Sequence, residues 1–139
     1  MKCLFNILIA SGLILLITNP IFSQKTDSVY TQTDIMPDFQ YKNIDSLNVK
    51  LTEYLRENSD LKILKSDEVT GAYKGLLLIR FIVEKNGTLS NIRINTFGYS
   101  IDKRKLTNLL INTQNWNPGT INGKAVRVAL SFSLHIDVD

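Results

Sequence analysis

The chain of 139 residues has a single cysteine, a single tryptophan and a single histidine. Cys3 lies inside an N-terminal apolar run, so the rest of the chain has no thiol for a disulfide staple, a nucleophile or a cysteine metal site. Its stability must therefore come from packing. The three prolines, Pro20, Pro37 and Pro118, are too few and too far apart for a proline-rich spacer, and no internal repeat or low-complexity stretch appears. Charge of one sign is also missing, with 16 Lys and Arg against 13 Asp and Glu. Without an arginine-rich arm or a stripe of interleaved basic and aromatic residues, nucleic acid is excluded as an expected partner.

Convergent chemistry is scarce as well. His135 stands alone, and strand parity places it on a polar face where a surface histidine is the ordinary outcome. The carboxylates are scattered, and Asp67-Glu68 reads as a solvated loop pair. Ser131 and Ser133 have no histidine held at fixed geometry beside them. The expectation is a protein that is not an enzyme and that carries no cofactor or metal.

At the N-terminus, Lys2 precedes an apolar run from Cys3 to Ile17, Thr18-Asn19-Pro20 breaks it, and Ile21-Phe22-Ser23 offers a cleavage end. Residues 1–23 read as a secretory signal peptide. The rival is an uncleaved anchor, for which the run falls short of the ~20 apolar residues of a spanning helix. Polar residues 24–34 read as a short flexible leader, and 35–139 as one domain.

Along that domain, Asp45 is a good helix cap, with Leu47, Leu51, Tyr54 and Leu55 behind it at helical spacing through Asn58. Residues 59–74 are irregular, with Leu61, Ile63 and Leu64 as the expected anchors. The stretch from Gly75 to Glu84 is apolar enough to be a central strand. A two-residue Asn86-Gly87 turn sets Phe81 against Ile92 and Ile79 against Ile94, whereas a three-residue loop would oppose Arg80 and Ile92. The second strand runs from about Leu89 to Thr96. A second helix, capped by Ser100 or Asp102, points Leu106, Leu109, Leu110 and Thr113 inward. Asn117-Pro118-Gly119 forbids further helix, and Asn122-Gly123 suits a tight reversal. From Val126 to Val138 apolar and polar residues alternate, as in a half-buried strand. The expected fold is α+β, a three-stranded antiparallel sheet with two helices on one face.

The residues Trp116, Pro118, Gly119, Asn122, Gly123 and Val126 fit a Trp-x-Pro-Gly-x-x-Asn-Gly-x-x-Val pattern. With it, and upstream Met36-Pro37-Asp38-Phe39, Tyr54 to Asn58 and Phe81 to Gly87, the chain from about Asp34 to Val138 resembles the C-terminal domain of TonB-type energy transducers. The resemblance implies the spatial order second, first, third strand. It also implies a periplasmic domain that captures an extended segment of an outer-membrane transporter beside the last strand. Carried over by position, the contact residues are Arg127, Ala129, Ser131, Ser133 and His135. Ser133 stands where family members often have proline, which restores a donor to that edge.

Two departures narrow the expectation. The family's long spacer is replaced by about ten residues, a reach of only ~35 Å. Its Pro-Gly-Gly after the Pro-x-Phe motif is Gln40-Tyr41-Lys42. The expected function is thus an exported, periplasmic or secreted binding domain that adds an extended peptide of an envelope protein, or its own twin, to its sheet. The alternatives are an anchored accessory transducer, touching the membrane only if residues 1–23 are retained, and a small periplasmic enzyme using His135. Arg80 and Arg93 are expected opposite one another on the sheet face away from Phe81, a like-charge pair that asks for an acidic answer from this chain or from a partner.

Overall fold

A computed structural model describes residues 27–64, 75–113 and 116–137. The signal-peptide segment 1–23 and Asp67-Glu68 lie outside them, as does the end of the last strand at Val138. In chain order the elements are β1 (Val29–Tyr30), β2 (Asp38–Phe39), α1 (Leu47–Asn58), β3 (Gly75–Val83), β4 (Leu89–Phe97), α2 (Lys103–Ile111), β5 (Trp116–Asn117), β6 (Gly119–Ile121) and β7 (Lys124–Ile136). No helix among the described residues is long and apolar enough to cross a membrane.

The α+β class holds, but the sheet has five strands rather than three. The three long strands take the order β4-β3-β7, with β3 antiparallel to both neighbours. β1 adds to β7 in parallel, and β6 folds back on the start of β7 through Asn122-Gly123, both at positive φ as a two-residue reversal requires. β2 and β5 form a separate two-stranded clip that sets Phe39 against Trp116. Two-residue strands such as β1 and β2 have no periodicity to read, which is why the sequence shows only the long ones.

The core forms where the helical face of the sheet meets α1 and α2. Leu77, Ile79, Phe81 and Val83 point into it from β3, and Val128, Leu130, Phe132, Leu134 and Ile136 from β7. α1 contributes Leu51 and Leu55, and α2 contributes Leu106 and Leu110. The cap of α1 is Ser46, not Asp45, and its side chain makes no capping bond; only its carbonyl is used, by Lys50 N–H at 2.9 Å. At α2 the choice falls to Asp102, whose Oδ1 accepts from the N–H groups of Arg104 and Lys105. Buried Lys50 reaches Asp38 at 2.6 Å and ties the clip to α1.

The hairpin between β3 and β4 corrects the expected turn. Gly87 N–H donates to the Glu84 carbonyl and Glu84 N–H to the Thr88 carbonyl, so three residues, Lys85-Asn86-Gly87, form the loop. That loop alone would have put Arg80 against Ile92. A bulge at Asn91, with φ of 49°, takes up one residue, so Ile79–Ile94 and Arg80–Arg93 pair as expected, while Phe81, expected against Ile92, falls at the register shift with no single partner on β4. Register was fixed by burial, and the bulge reconciled it with the loop.

Trp116 is buried, its ring 4.6 Å from Phe39 and 5.3 Å from Phe81, and its indole N–H donates to Thr113 Oγ1 at 2.9 Å. The motif residues Pro37, Phe39, Trp116 and Gly119 are thus interior, Pro118 and Val126 are half-buried, and Asn122 and Gly123 form the exposed reversal. They build the scaffold around the last strand.

Candidate functional site

β7 is the longest strand, and its two sides are used unequally. Toward β3 it pairs continuously, from Gly75–Ile136 to Val83–Val128. On the outer side two short segments of the same chain take its ends: β1 pairs at Val29–Arg127 and Tyr30–Val128, and residues 62–64 cover the far end, while β6 pairs with residues 124–126. At that far end Leu64 N–H donates to the His135 carbonyl at 2.9 Å, and Asp137 N–H to the Lys62 carbonyl at 2.8 Å.

The edge expected to be free along its whole length is therefore closed at both ends. Between them, no strand among the described residues pairs with the outer side of residues 129–134. His135 and Asp137 show which parity faces outward. Alternation then directs the N–H and C=O groups of Ala129, Ser131 and Ser133 the same way, while the even-numbered residues serve β3. The window is about 17–20 Å long, one ordinary strand. It contains no proline, lysine or other charged residue that would blunt it.

The candidate contact residues divide accordingly. Ala129, Ser131 and Ser133 line the window, with both serines exposed and Ala129 half-buried. His135 flanks it beneath residues 62–64. Arg127 lies under β1, and its guanidinium is engaged inside the molecule: Nε donates to Glu84 Oε2 at 2.7 Å, Nη2 to Oε1 at 3.0 Å, and Nη1 to the Asp27 carbonyl at 3.0 Å. The Arg127 guanidinium, followed by the Ser90 hydroxyl, holds the Glu84 carboxyl below its ordinary value, and Glu84 raises Arg127 in return. Lys85 meets Asp27 at 2.8 Å, and the Asn122 N–H donates to Asp34 Oδ2 at 2.8 Å. Residues 27–34, which composition reads as a flexible leader, are thus fastened to the body at both ends.

On the face away from the helices, Arg80 stands between Arg93 on β4 and Ser131 on β7. Both arginines are exposed, and Arg93 donates through Nε to Asn91 Oδ1 at 3.3 Å. Neither makes an ion pair with a carboxylate among the described residues. Leu78 sits beside Ser133 on this face, and Ile82 beside Ala129.

Sequence reasoning missed the segments that frame the window: β1, residues 62–64, and the Glu84 partner of Arg127. Val29-Tyr30, a β-branched and an aromatic residue inside a polar leader, was a legible signal, and the apolar anchors Leu61, Ile63 and Leu64, of which Ile63 is buried, marked the second segment without revealing its pairing. Elsewhere a cleft of about 530 Å³ opens where α1 ends and α2 begins, lined by Leu61, Tyr99, Asp102 and Lys105 among others. Asp102 there is already the cap of α2. Among the described residues no three His, Cys, Asp or Glu side chains come together as metal ligands would.

No protein-family model, curated protein or solved structure matches the chain.

Proposed function

We propose that this is an exported, non-enzymatic binding domain of the cell envelope that takes an extended peptide of an envelope or outer-membrane transport protein as an added strand beside β7. The observation that carries the reading is the six-residue opening from Ala129 to Leu134, bounded at both ends by the chain's own backbone and directing unpaired main-chain groups outward. Main-chain pairing of this kind binds a peptide through its backbone and selects it through alternate side chains. The resemblance to TonB C-terminal domains supports the same edge and supplies the periplasmic setting. Whether residues 1–23 are retained separates this reading from an anchored accessory transducer, and the intact mass of the exported protein decides it.

The test is Ser131→Pro. It removes an outward N–H in the middle of the window without touching a bond to β3, so the melting temperature should stay within a few degrees while peptide capture, followed by photo-crosslinking from position 133, is lost. Ser133→Pro, with the crosslinker moved to position 129, serves as the second blocking variant. Capture undiminished by both would refute strand addition here.

A further inference from the structure

Resting on that reading, we infer that the partner strand is acidic, with a carboxylate opposite Ser131 that is read by Arg80. The two guanidinium-bearing strands meet at one rung, Arg93–Arg80–Ser131, and all three side chains lie on the face away from the helices. Like charges directly opposed across strands are unfavourable. The bulge at Asn91 begins immediately beyond this rung, so the two arginines are held in register rather than splayed apart.

Next in the rung comes serine, small and uncharged, and after it the open edge. A strand added beside β7 would lie about 10 Å from β3, within the combined reach of an extended arginine and a glutamate across a side chain as short as serine. A carboxylate there meets the Arg80 guanidinium, whose forked donors suit it, and so offsets the charge that Arg80 presents to Arg93 on the next strand. One rung along, Ser133 is backed by Leu78, so the partner residue two positions away meets an apolar neighbour. The expected partner is an extended segment with an acidic residue and, two residues from it, an apolar or β-branched one. A second copy of this chain supplies no such strand from its own window, whose outward side chains are Ala129, Ser131 and Ser133.

The experiment uses capped seven-residue peptides alternating Thr and Val, with Glu, Gln or Lys replacing each Thr in turn, and reads affinity for the exported protein by fluorescence anisotropy. One Glu position should bind about three- to fivefold tighter than its Gln counterpart. The preference should fade in ~0.5 M salt, vanish in Arg80→Gln and turn toward Lys in Arg80→Glu. Glu and Gln peptides that bind alike at every position would overturn the acidic partner while leaving strand addition in place. Failure of every peptide, with wild type and Ser131→Pro indistinguishable, would remove both. The free protein gives an independent check: Arg80→Gln should raise its melting temperature by relieving the opposed charges, and a fall would show that a carboxylate of this chain already answers them.

Discussion

Gly87 and Trp116 are in backbone contact: a β-carbon on Gly87 would overlap the carbonyl oxygen of Trp116. The tip of the β3–β4 hairpin is thereby seated on the clip formed by β2 and β5. Gly87 also has φ of +79°, which an L side chain rarely adopts. Gly87→Ala should therefore destabilise the protein by about 2–4 kcal/mol, combining backbone strain with a clash that neither backbone can easily relieve. Urea unfolding followed by tryptophan fluorescence measures it. A loss below ~1 kcal/mol would mean that the hairpin tip lifts freely from Trp116.

Trp116 itself anchors the clip through packing and one hydrogen bond, and the two can be separated. Trp116→Ala removes the ring between Phe39 and Phe81 and should cost about 3–5 kcal/mol. Thr113→Val keeps the shape but leaves the buried indole N–H without its Thr113 acceptor, for about 1–3 kcal/mol. If Thr113→Val proves neutral, the indole has found another acceptor.

The acid limb of stability should depend on Glu84. Its carboxyl is held below the ordinary value of 4.5 by Arg127, then by Ser90. A depressed folded value means that the stabilisation is complete above the unfolded carboxyl range and is lost as pH falls through the folded value. Glu84→Gln should accordingly be less stable than wild type at neutral pH, with the gap closing below about pH 4. Glu57, lowered by Lys42 and then by Tyr41, keeps the remainder of the acid limb in both proteins. A gap that persists unchanged in acid would show that the ion pair is not its source.

At the alkaline end, burial and then the hydrogen bond to Glu57 push Tyr41 up to about 12. The neutral phenol is the form favoured by the fold, so its contribution is whole below the ordinary value of 10.0 and lost as pH rises through about 12. Tyr41→Phe should remove that alkaline loss. Ultraviolet titration should also show one fewer late-ionising tyrosine.

Legibility in the sequence followed length and alternation. β3 and β7 could be recognised because nine and 13 residues give enough periods to separate core-facing from outward positions. Trp116 and Phe39 announced their burial by size and by the breakers beside them. The hairpin was half legible: apolar matching found Ile79–Ile94 but not the bulge that denies Phe81 its pairing with Ile92, because the three-residue loop and the bulge at Asn91 cancel one another and no local signal separates that combination from a two-residue turn. The framing of the window was out of reach, because β1 and residues 62–64 are too short for periodicity, and the apolar anchors near Ile63 say that the segment is buried, not which strand it pairs with. For the same reason parity placed Arg127 on the outer face, while nothing in the sequence revealed Glu84 as its neighbour.

β1 offers the last test, because it closes one end of the window with little of its own surface buried. Val29 and Tyr30 are 42% and 39% exposed, and their pairing with β7 covers two residues. Deleting residues 24–32 should leave the fold intact, since Ile35 still bridges Thr120 and Asp34 still holds the Asn122 N–H. The deletion uncovers the edge at Arg127 and Val128, and Arg127 keeps its bonds to Glu84. A visiting strand then gains about one more backbone bond, worth ~1 kcal/mol or roughly fivefold in affinity. If affinity is unchanged while the truncated protein remains folded, the peptide does not extend along β7 toward β1.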